Sequence, residues 1–451
     1  MLVTGAVTHQ EQQAGRGSLS LLPPAERGVA SWHTAAMPER SRRPARSRIG
    51  SLDALRGVGI LGILALNVQL FALVAAARAN PTVHGDLGGA NWLAWLAIYA
   101  LADGKFTGVF ALLFGAGILI FADKPDEDAR VVARLHYRRM AALFAIGLAH
   151  AYLLWSGDIL VTLALCGAAV FPFRAAPPRR LVVVGVAVFA MASLLMLASG
   201  LALSRIPARE IREAERAWAP PADVVAAQVA RYRAGWWTQM TARVPAAFEM
   251  ETTYFVGHAA WQMGGLMLVG MGLLKLDVLT AGRSTAFYAW LAVAGFGLGW
   301  PALATGASHS FRHHWALADY LRVGGPLTSW GNVLVGLGWI GLVMLGVRAG
   351  WPLGAVAAVG RTALTNYLLQ TVLCTTIFYG HGLGLFGRVG RAGQLAIVAG
   401  VWVIELVLSL WWLRRFDFGP VEWLWRCATY GRWLAIRRSS APTAAALPVE
   451  R

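Results

Sequence analysis

The run HAYLLWSGDIL contains the pair of residues best suited by type and spacing to acid–base chemistry, His150 and Asp158. An imidazole within an apolar helix needs a polar partner, and Asp158 can orient it if the chain bends at Gly157. His150 would lie about 15 Å along the helix from the Arg138–Arg139 pair, counting about 1.5 Å per residue. Because imidazole titrates near neutrality, His150 is the candidate general acid or base, with Asp158 as its catalytic partner. The competing assignments are a hydrogen-bonded packing histidine and an aspartate that caps the following helix.

A second set of polar residues could hold a substrate. In SLDALRGVGILGILALN, Arg56 and Asn67 are eleven residues apart, three helical turns plus about 20° of rotation, so they share a face. Ser51 can cap this helix, and Gly57, Gly59 and Gly62 leave room for another helix. Local pairing of Asp53 with Arg56, with Asn67 bonding a neighbouring helix, explains the same residues without a ligand. Asp103 and Lys105 stand at the mouth of the next apolar run, as substrate contacts or as interface anchors. Further on, Thr362, Asn366, Gln370 and Cys374 repeat at i,i+4, a polar stripe that lines a cavity or knits helices together. Arg139 completes the candidate binding set of Arg56, Asn67, Lys105, Arg139, Asn366 and Gln370.

The elements that must position these groups are set by composition. Of 451 residues, 57% are hydrophobic and 14% charged, a balance unsuited to a water-exposed globular surface. The apolar runs are too long for barrel strands, so the expected fold class is all-α, a polytopic membrane helix bundle. Spanning windows near residues 54–77, 106–122, 140–156, 158–174, 181–203, 255–274, 284–305, 328–348, 362–380 and 395–413 predict about ten transmembrane helices. Residues 91–103 are too short to cross and read as an interfacial or re-entrant helix.

The net charge of +17 comes from arginines spread through short segments between apolar runs, a pattern of membrane orientation and not of a nucleic-acid surface. Arg130, Arg134, Arg138, Arg139, Arg174, Arg179, Arg180, Lys275, Arg283, Arg414, Arg415, Arg426, Arg437 and Arg438 are expected inside. Both termini are then cytoplasmic, against Arg312, Arg322, Arg388 and Arg391 outside. The predicted organisation is a disordered tail at 1–50, N-terminal spans at 51–203, an extracytoplasmic loop at 204–250, C-terminal spans at 251–414 and a cytoplasmic tail at 415–451. Met37, just before ERSRRPARSR, is expected to be the true start. In the loop, Glu210, Arg212, Glu213, Glu215 and Arg216 suggest a solvated helix with i,i+3 and i,i+4 charge pairs. Three scattered cysteines and dispersed histidines indicate neither a disulfide framework nor a metal site.

Beyond residue 50 the chain resembles the bacterial YeiB-like membrane proteins, whose C-terminal half is a domain of unknown function. The motifs are LDALRG with GILALN at 52–67, GKFTGVFALLFGAG at 104–117 and HxxxxWSGDIL at 150–160, then GRTALTNYLLQ at 360–370, FYGHGLGLFG at 378–387 and RRFDFGPVEWLWR at 414–426. The N-terminal half is distantly similar to membrane acyltransferases that move an acyl group from acyl-CoA to an extracytoplasmic sugar or lipid. In those enzymes an Arg in the first span is followed by a His where this chain has Asn67. An amide is no general base at neutral pH, so either His150 takes that role or the activity is absent.

The resemblance implies a transmembrane acyl-group transferase of the cell envelope, with membrane lipids around it, acyl-CoA as donor and an envelope lipid or glycan as acceptor. Arg56, Arg138 and Arg139 would attract the CoA phosphates, and Asn67 or Gln370 would hold the acyl carbonyl. The alternatives are a transporter or flippase of a small metabolite or lipid, with Glu405 as an intramembrane carboxylate, and a scaffold of an envelope complex.

Overall fold

The computed structural model describes residues 50–124 and 127–437. The expected tail at 1–49, the start at Met37 and the chain after Arg437 lie outside the described residues. Ten helical stretches coincide with the ten apolar windows. They are α1 (Gly50–Ala72), α3 (Lys105–Ala122), α4 (Ala129–Ala149), α5 (Leu160–Val170) and α6 (Pro178–Ala202), then α10 (Ala260–Lys275), α11 (Thr285–Arg312), α12 (Gly325–Arg348), α14 (Ala363–Phe378) and α15 (Arg391–Leu413), while α2 (Ala90–Leu101) covers the short stretch set apart from the windows as an interfacial or re-entrant helix. Between them come α7 (Ala208–Trp218), α8 (Ala222–Arg233), α9 (Trp236–Glu249) and α13 (Gly354–Arg361), and α16 (Pro420–Tyr430) follows. Among the described residues six stretches are long and apolar enough to cross a membrane, with shorter apolar helices at 160–175 and 363–378, against the ten spans expected from sequence; together they fit a polytopic helical membrane bundle.

Helix α1 is the most enclosed of the six, with 78% of its apolar window buried against 56% or less for the others. Its glycines permit this. A Cβ on Gly57 would stand 1.9 Å from the Val356 carbonyl oxygen, and one on Gly360 1.9 Å from that of Asp53, so α1 and α13 touch backbone to backbone. The α3–α10 crossing is built the same way, from Gly115 against Met267 and Gly270 against Leu112. Ser51 lies in the first turn of α1 and is not its cap; its hydroxyl donates to the Leu279 carbonyl at 3.1 Å.

The apolar stretch 90–122 is interrupted. After α2 the chain turns through Gly104, whose φ of +73° suits glycine, and α3 starts anew at Lys105. Three further interruptions are wide π-helical turns, His150–Leu154 after α4, Met250–Ala259 before α10 and Tyr320–Gly324 before α12. Such turns widen a helix and re-aim its side chains, often at functional positions. The segment 204–250 folds as α7, α8 and α9, and α7 carries an exposed Arg209–Glu213 pair at 2.9 Å. This segment meets the bundle at the end away from residues 50 and 437, hereafter the loop end. There the Trp236 indole and the Arg243 guanidinium both donate to the Leu153 carbonyl. At the terminal end, α16 folds back onto α4 and α14.

Candidate functional site

The wide turn that ends α4 aims His150 into the bundle, where it is 2% exposed. Its Nδ1 lies 2.7 Å from Asp158 Oδ1, and its Nε2 lies 2.9 Å from the Thr371 hydroxyl on α14. Asp158 does two things at once, since its other oxygen accepts the Val161 amide at 2.8 Å and caps the start of α5. A carboxylate beside Nδ1 favours the tautomer with its proton there, in which Nε2 is the acceptor facing the Thr371 hydroxyl; that hydroxyl also lies 3.4 Å from the Tyr367 carbonyl. Tyr367 packs with its ring centre 5.1 Å from His150 and accepts the Ile159 amide, and Trp155 stacks on Phe71 at 4.1 Å, so the bend is tied to α14 and α1.

The geometry is that of a hydroxyl, an imidazole and a carboxylate in line, which can move a proton between a hydroxyl and Nε2 while the carboxylate stabilises the imidazolium. Thr371 was not singled out from sequence. It neighbours Gln370, and the i,i+4 stripe drew attention to the adjacent face; the repeat of β-branched Thr371 and Thr375 beside that stripe was the available signal.

Other candidate residues point elsewhere. Gln370 donates to the Ile60 carbonyl at 3.0 Å and to Glu405 at 2.9 Å, joining α14 to α1 and α15. Asn366 donates to Val359, Thr362 and Ser409, and Thr362 meets Ser409 at 3.1 Å, so this part of the stripe knits α14 to α13 and α15. Asn67 is buried on α1 and forms no hydrogen bond with His150, Gln370 or Arg56 among the described residues. Lys105 is not an interface anchor. It is fully buried, donates to the Tyr99 carbonyl and lies 5.2 Å from the Tyr99 ring centre, closing the turn between α2 and α3.

Arg56 pairs with Asp53 at 3.2 Å, the local i,i+3 arrangement. It also belongs to a cationic group at the terminal end, because Arg139 has Arg56 and Arg426 as charged neighbours. The Arg139 guanidinium lies over Trp425 at 4.4 Å and Phe121 at 5.0 Å, and the Trp425 indole donates to its carbonyl at 2.8 Å. Helix α16 thus supplies a cation and an aromatic wall that sequence reading assigned to a tail. Arg139 and His150 stand eleven residues apart on one helix, about 16 Å at the usual rise.

The C-terminal part, residues 273–432, matches the family described as "Protein of unknown function (DUF418)". Over 395 residues the chain is 32% identical to "Uncharacterized protein YeiB" of Escherichia coli (strain K12), covering 84% of this chain and 95% of that protein. It is 30% identical over 417 residues to "Uncharacterized protein YxaH" of Bacillus subtilis (strain 168), covering 87% and 97%. A third relative, an "Uncharacterized 39.9 kDa protein in amylase 3'region" of Bacillus acidopullulyticus, is 25% identical over 392 residues.

Proposed function

The chain belongs to the YeiB-like family of DUF418 membrane proteins, and from that premise we propose that it is a transmembrane acyl-group transferase acting on a cell-envelope lipid or glycan. One observation carries the reading: the buried line from Asp158 through His150 to the Thr371 hydroxyl. In this reading an acceptor hydroxyl takes the place of Thr371 at Nε2. It attacks the thioester carbonyl of acyl-CoA as His150 removes its proton, and the departing thiolate recovers that proton from the imidazolium. Asp158 holds the ring and balances its charge. The cations Arg56, Arg139 and Arg426 would receive the donor's phosphates, with a pantetheine arm crossing the distance to His150. Both termini then face the cytoplasm of a bacterial cell, and the acceptor enters from the loop end.

The test is the envelope of a deletion strain complemented with wild type or with His150→Ala. An acylated lipid or glycan should be lost on deletion, restored by wild type and absent with the variant at equal expression. Identical lipid and glycan profiles in all strains refute the proposal.

A second reading, a transporter or flippase, is favoured by Glu405. This carboxyl group is fully buried on α15 with Gln370 as its hydrogen-bond partner, and its Oε2 has none. Ionisable groups inside a membrane commonly mark transport paths. Substrate uptake into proteoliposomes that Glu405→Gln abolishes and His150→Ala spares would select it over the transferase.

A further inference from the structure

We infer that Glu405 on α15 and Gln370 on α14 form a proton-binding site inside the bundle, in which the carboxyl group keeps its proton at neutral pH and donates it to the Gln370 amide oxygen. The site depends on neither transfer nor transport, and it can be observed without turnover.

Both side chains are buried, and their hydrogen bonds are incomplete in a specific way. Gln370 Nε2 has two hydrogens and uses both, one on the Ile60 carbonyl of α1 at 3.0 Å and one on Glu405 Oε1 at 2.9 Å. Those bonds fix the amide's orientation, because turning it over would set its oxygen against two other oxygens. Two acceptors are left over, Gln370 Oε1 and Glu405 Oε2, each buried with no hydrogen-bond partner among the described residues. One such orphan is costly, and here two belong to groups already joined.

A single proton resolves both. Bound to Oε2, it turns that atom into a hydroxyl donor, and the acceptor still free on the joined amide is Gln370 Oε1. Acid and amide then bond twice, amide N–H to carboxyl oxygen and carboxyl O–H to amide oxygen, the head-to-head pairing open to a carboxylic acid and a primary amide. A metal cation would need several more oxygens than these two, and among the described residues no cluster of metal-binding side chains occurs.

The surrounding charges favour the same state. On the helices packed against α15 the other titratable or charged side chains are Cys374, one turn beyond Gln370 on α14, Asp53 and Arg56 on α1, Tyr99 on α2 and Arg361 at the end of α13. On α15 itself the next is Arg391, about four turns away. Arg56 pairs with Asp53 at 3.2 Å, and among the described residues no ion pair reaches Glu405. A buried carboxylate without a cation is costly, and the proton removes that charge. Thr371, the residue after Gln370, meets His150 at 2.9 Å, so the acid–amide pair also steadies the turn of α14 that faces the imidazole.

The experiment is infrared difference spectroscopy on the purified full chain in dodecyl maltoside, a detergent without ester carbonyls, at neutral pH in H2O and in D2O. Wild type minus Glu405→Gln should show the carbonyl band of a protonated carboxyl group, moving to lower frequency in D2O. The variant should fold, because its new amide N–H donates where the acid O–H did. Gln370→Met ends the pairing and should move the band to higher frequency, toward that of a free carboxylic acid; the Glu405→Gln comparison stays decisive if Gln370→Met does not fold. His150→Gln and Glu422→Gln should leave the band in place. A carboxylate difference with no acid band, loss of the acid band on adding sodium or potassium chloride, or an unshifted band in Gln370→Met overturns the inference. An acid band in a protein that transfers no acyl group would sink the transferase reading and leave this one standing.

Discussion

At the scale of single residues, the account turns on which groups His150 meets. Asp158→Asn keeps the size of the side chain but supplies an amide that can donate to Nδ1, so the wrong ring nitrogen carries the proton. Acyl transfer should fall by roughly 10²-fold or more, as expected when the orienting carboxylate of a base is lost. Measured rates within a few-fold of wild type would mean that Asp158 serves as the cap of α5 and nothing more. Thr371→Val leaves the buried Nε2 without its hydroxyl and should cost about 1–3 kcal/mol in thermal unfolding of the purified protein. Thr371→Ser should restore most of that loss. Equal stability of the valine and serine variants contradicts the hydrogen bond seen at 2.9 Å.

The elements that hold these residues carry their own predictions. Gly115 on α3 faces the Met267 carbonyl of α10 at 2.0 Å from an added Cβ, whereas Gly264 on α10 has nothing within 4 Å. Gly115→Val should therefore destabilise by more than the roughly 1–3 kcal/mol of ordinary overpacking, while Gly264→Ala is nearly neutral in the same thermal melt. Comparable melts for the two would argue against the close α3–α10 crossing. At the terminal end, Glu422 of α16 accepts the Leu364 and Thr365 amides at 2.6 and 3.1 Å and so caps the helix that carries Thr371. Burial pushes the Glu422 carboxyl up from its ordinary value, and the hydrogen bonds from Thr365 and Leu364 oppose that shift in part. The folded chain then holds this proton more tightly than the unfolded chain. The contribution is present at low pH and lost as pH rises through the raised value. Wild type should lose stability relative to Glu422→Gln on going from acid toward neutral pH, and parallel curves would contradict it.

Helices and spans were legible because long apolar runs admit few structures in lipid. The local Asp53–Arg56 pair and the Asp158–His150 contact were within reach because their partners are three and eight residues apart. What sequence did not show depends on contacts across the fold. Lys105 caps a turn that exists because α2 and α3 are separate helices, Gln370 turns to Glu405 35 residues away, and Thr371 reaches His150 across 221 positions. The i,i+4 stripe on α14 identified a polar face correctly but could not say that Asn366 and Gln370 spend their amides on neighbouring helices. The same limit hid α16, whose Trp425 and Arg426 join the arginines of α1 and α4 only in the folded chain.

For the whole molecule, the distribution of arginine predicts which end faces the cytoplasm. The three native cysteines, Cys166, Cys374 and Cys427, are buried, so introduced cysteines can be read over a low background. In intact cells a membrane-impermeant maleimide should label Arg212→Cys on α7 and leave Arg432→Cys, beyond α16, unlabelled until the membrane is broken. The reverse pattern would put the arginine cluster outside, where no acyl-CoA is available. Sidedness matters to the proposed transfer, in which donor and acceptor would approach His150 from opposite ends of one helix bundle.

The most direct measurement of the central claim is transfer of a labelled acyl group from acyl-CoA by the purified full chain in bilayer nanodiscs made with envelope lipid, wild type against His150→Gln. The account predicts transfer by wild type and a loss of roughly 10²- to 10⁴-fold in the variant, the range usual for removing a general base, with acyl-CoA binding retained at the arginine end. Transfer at the wild-type rate by His150→Gln, or no transfer by either protein, would contradict it.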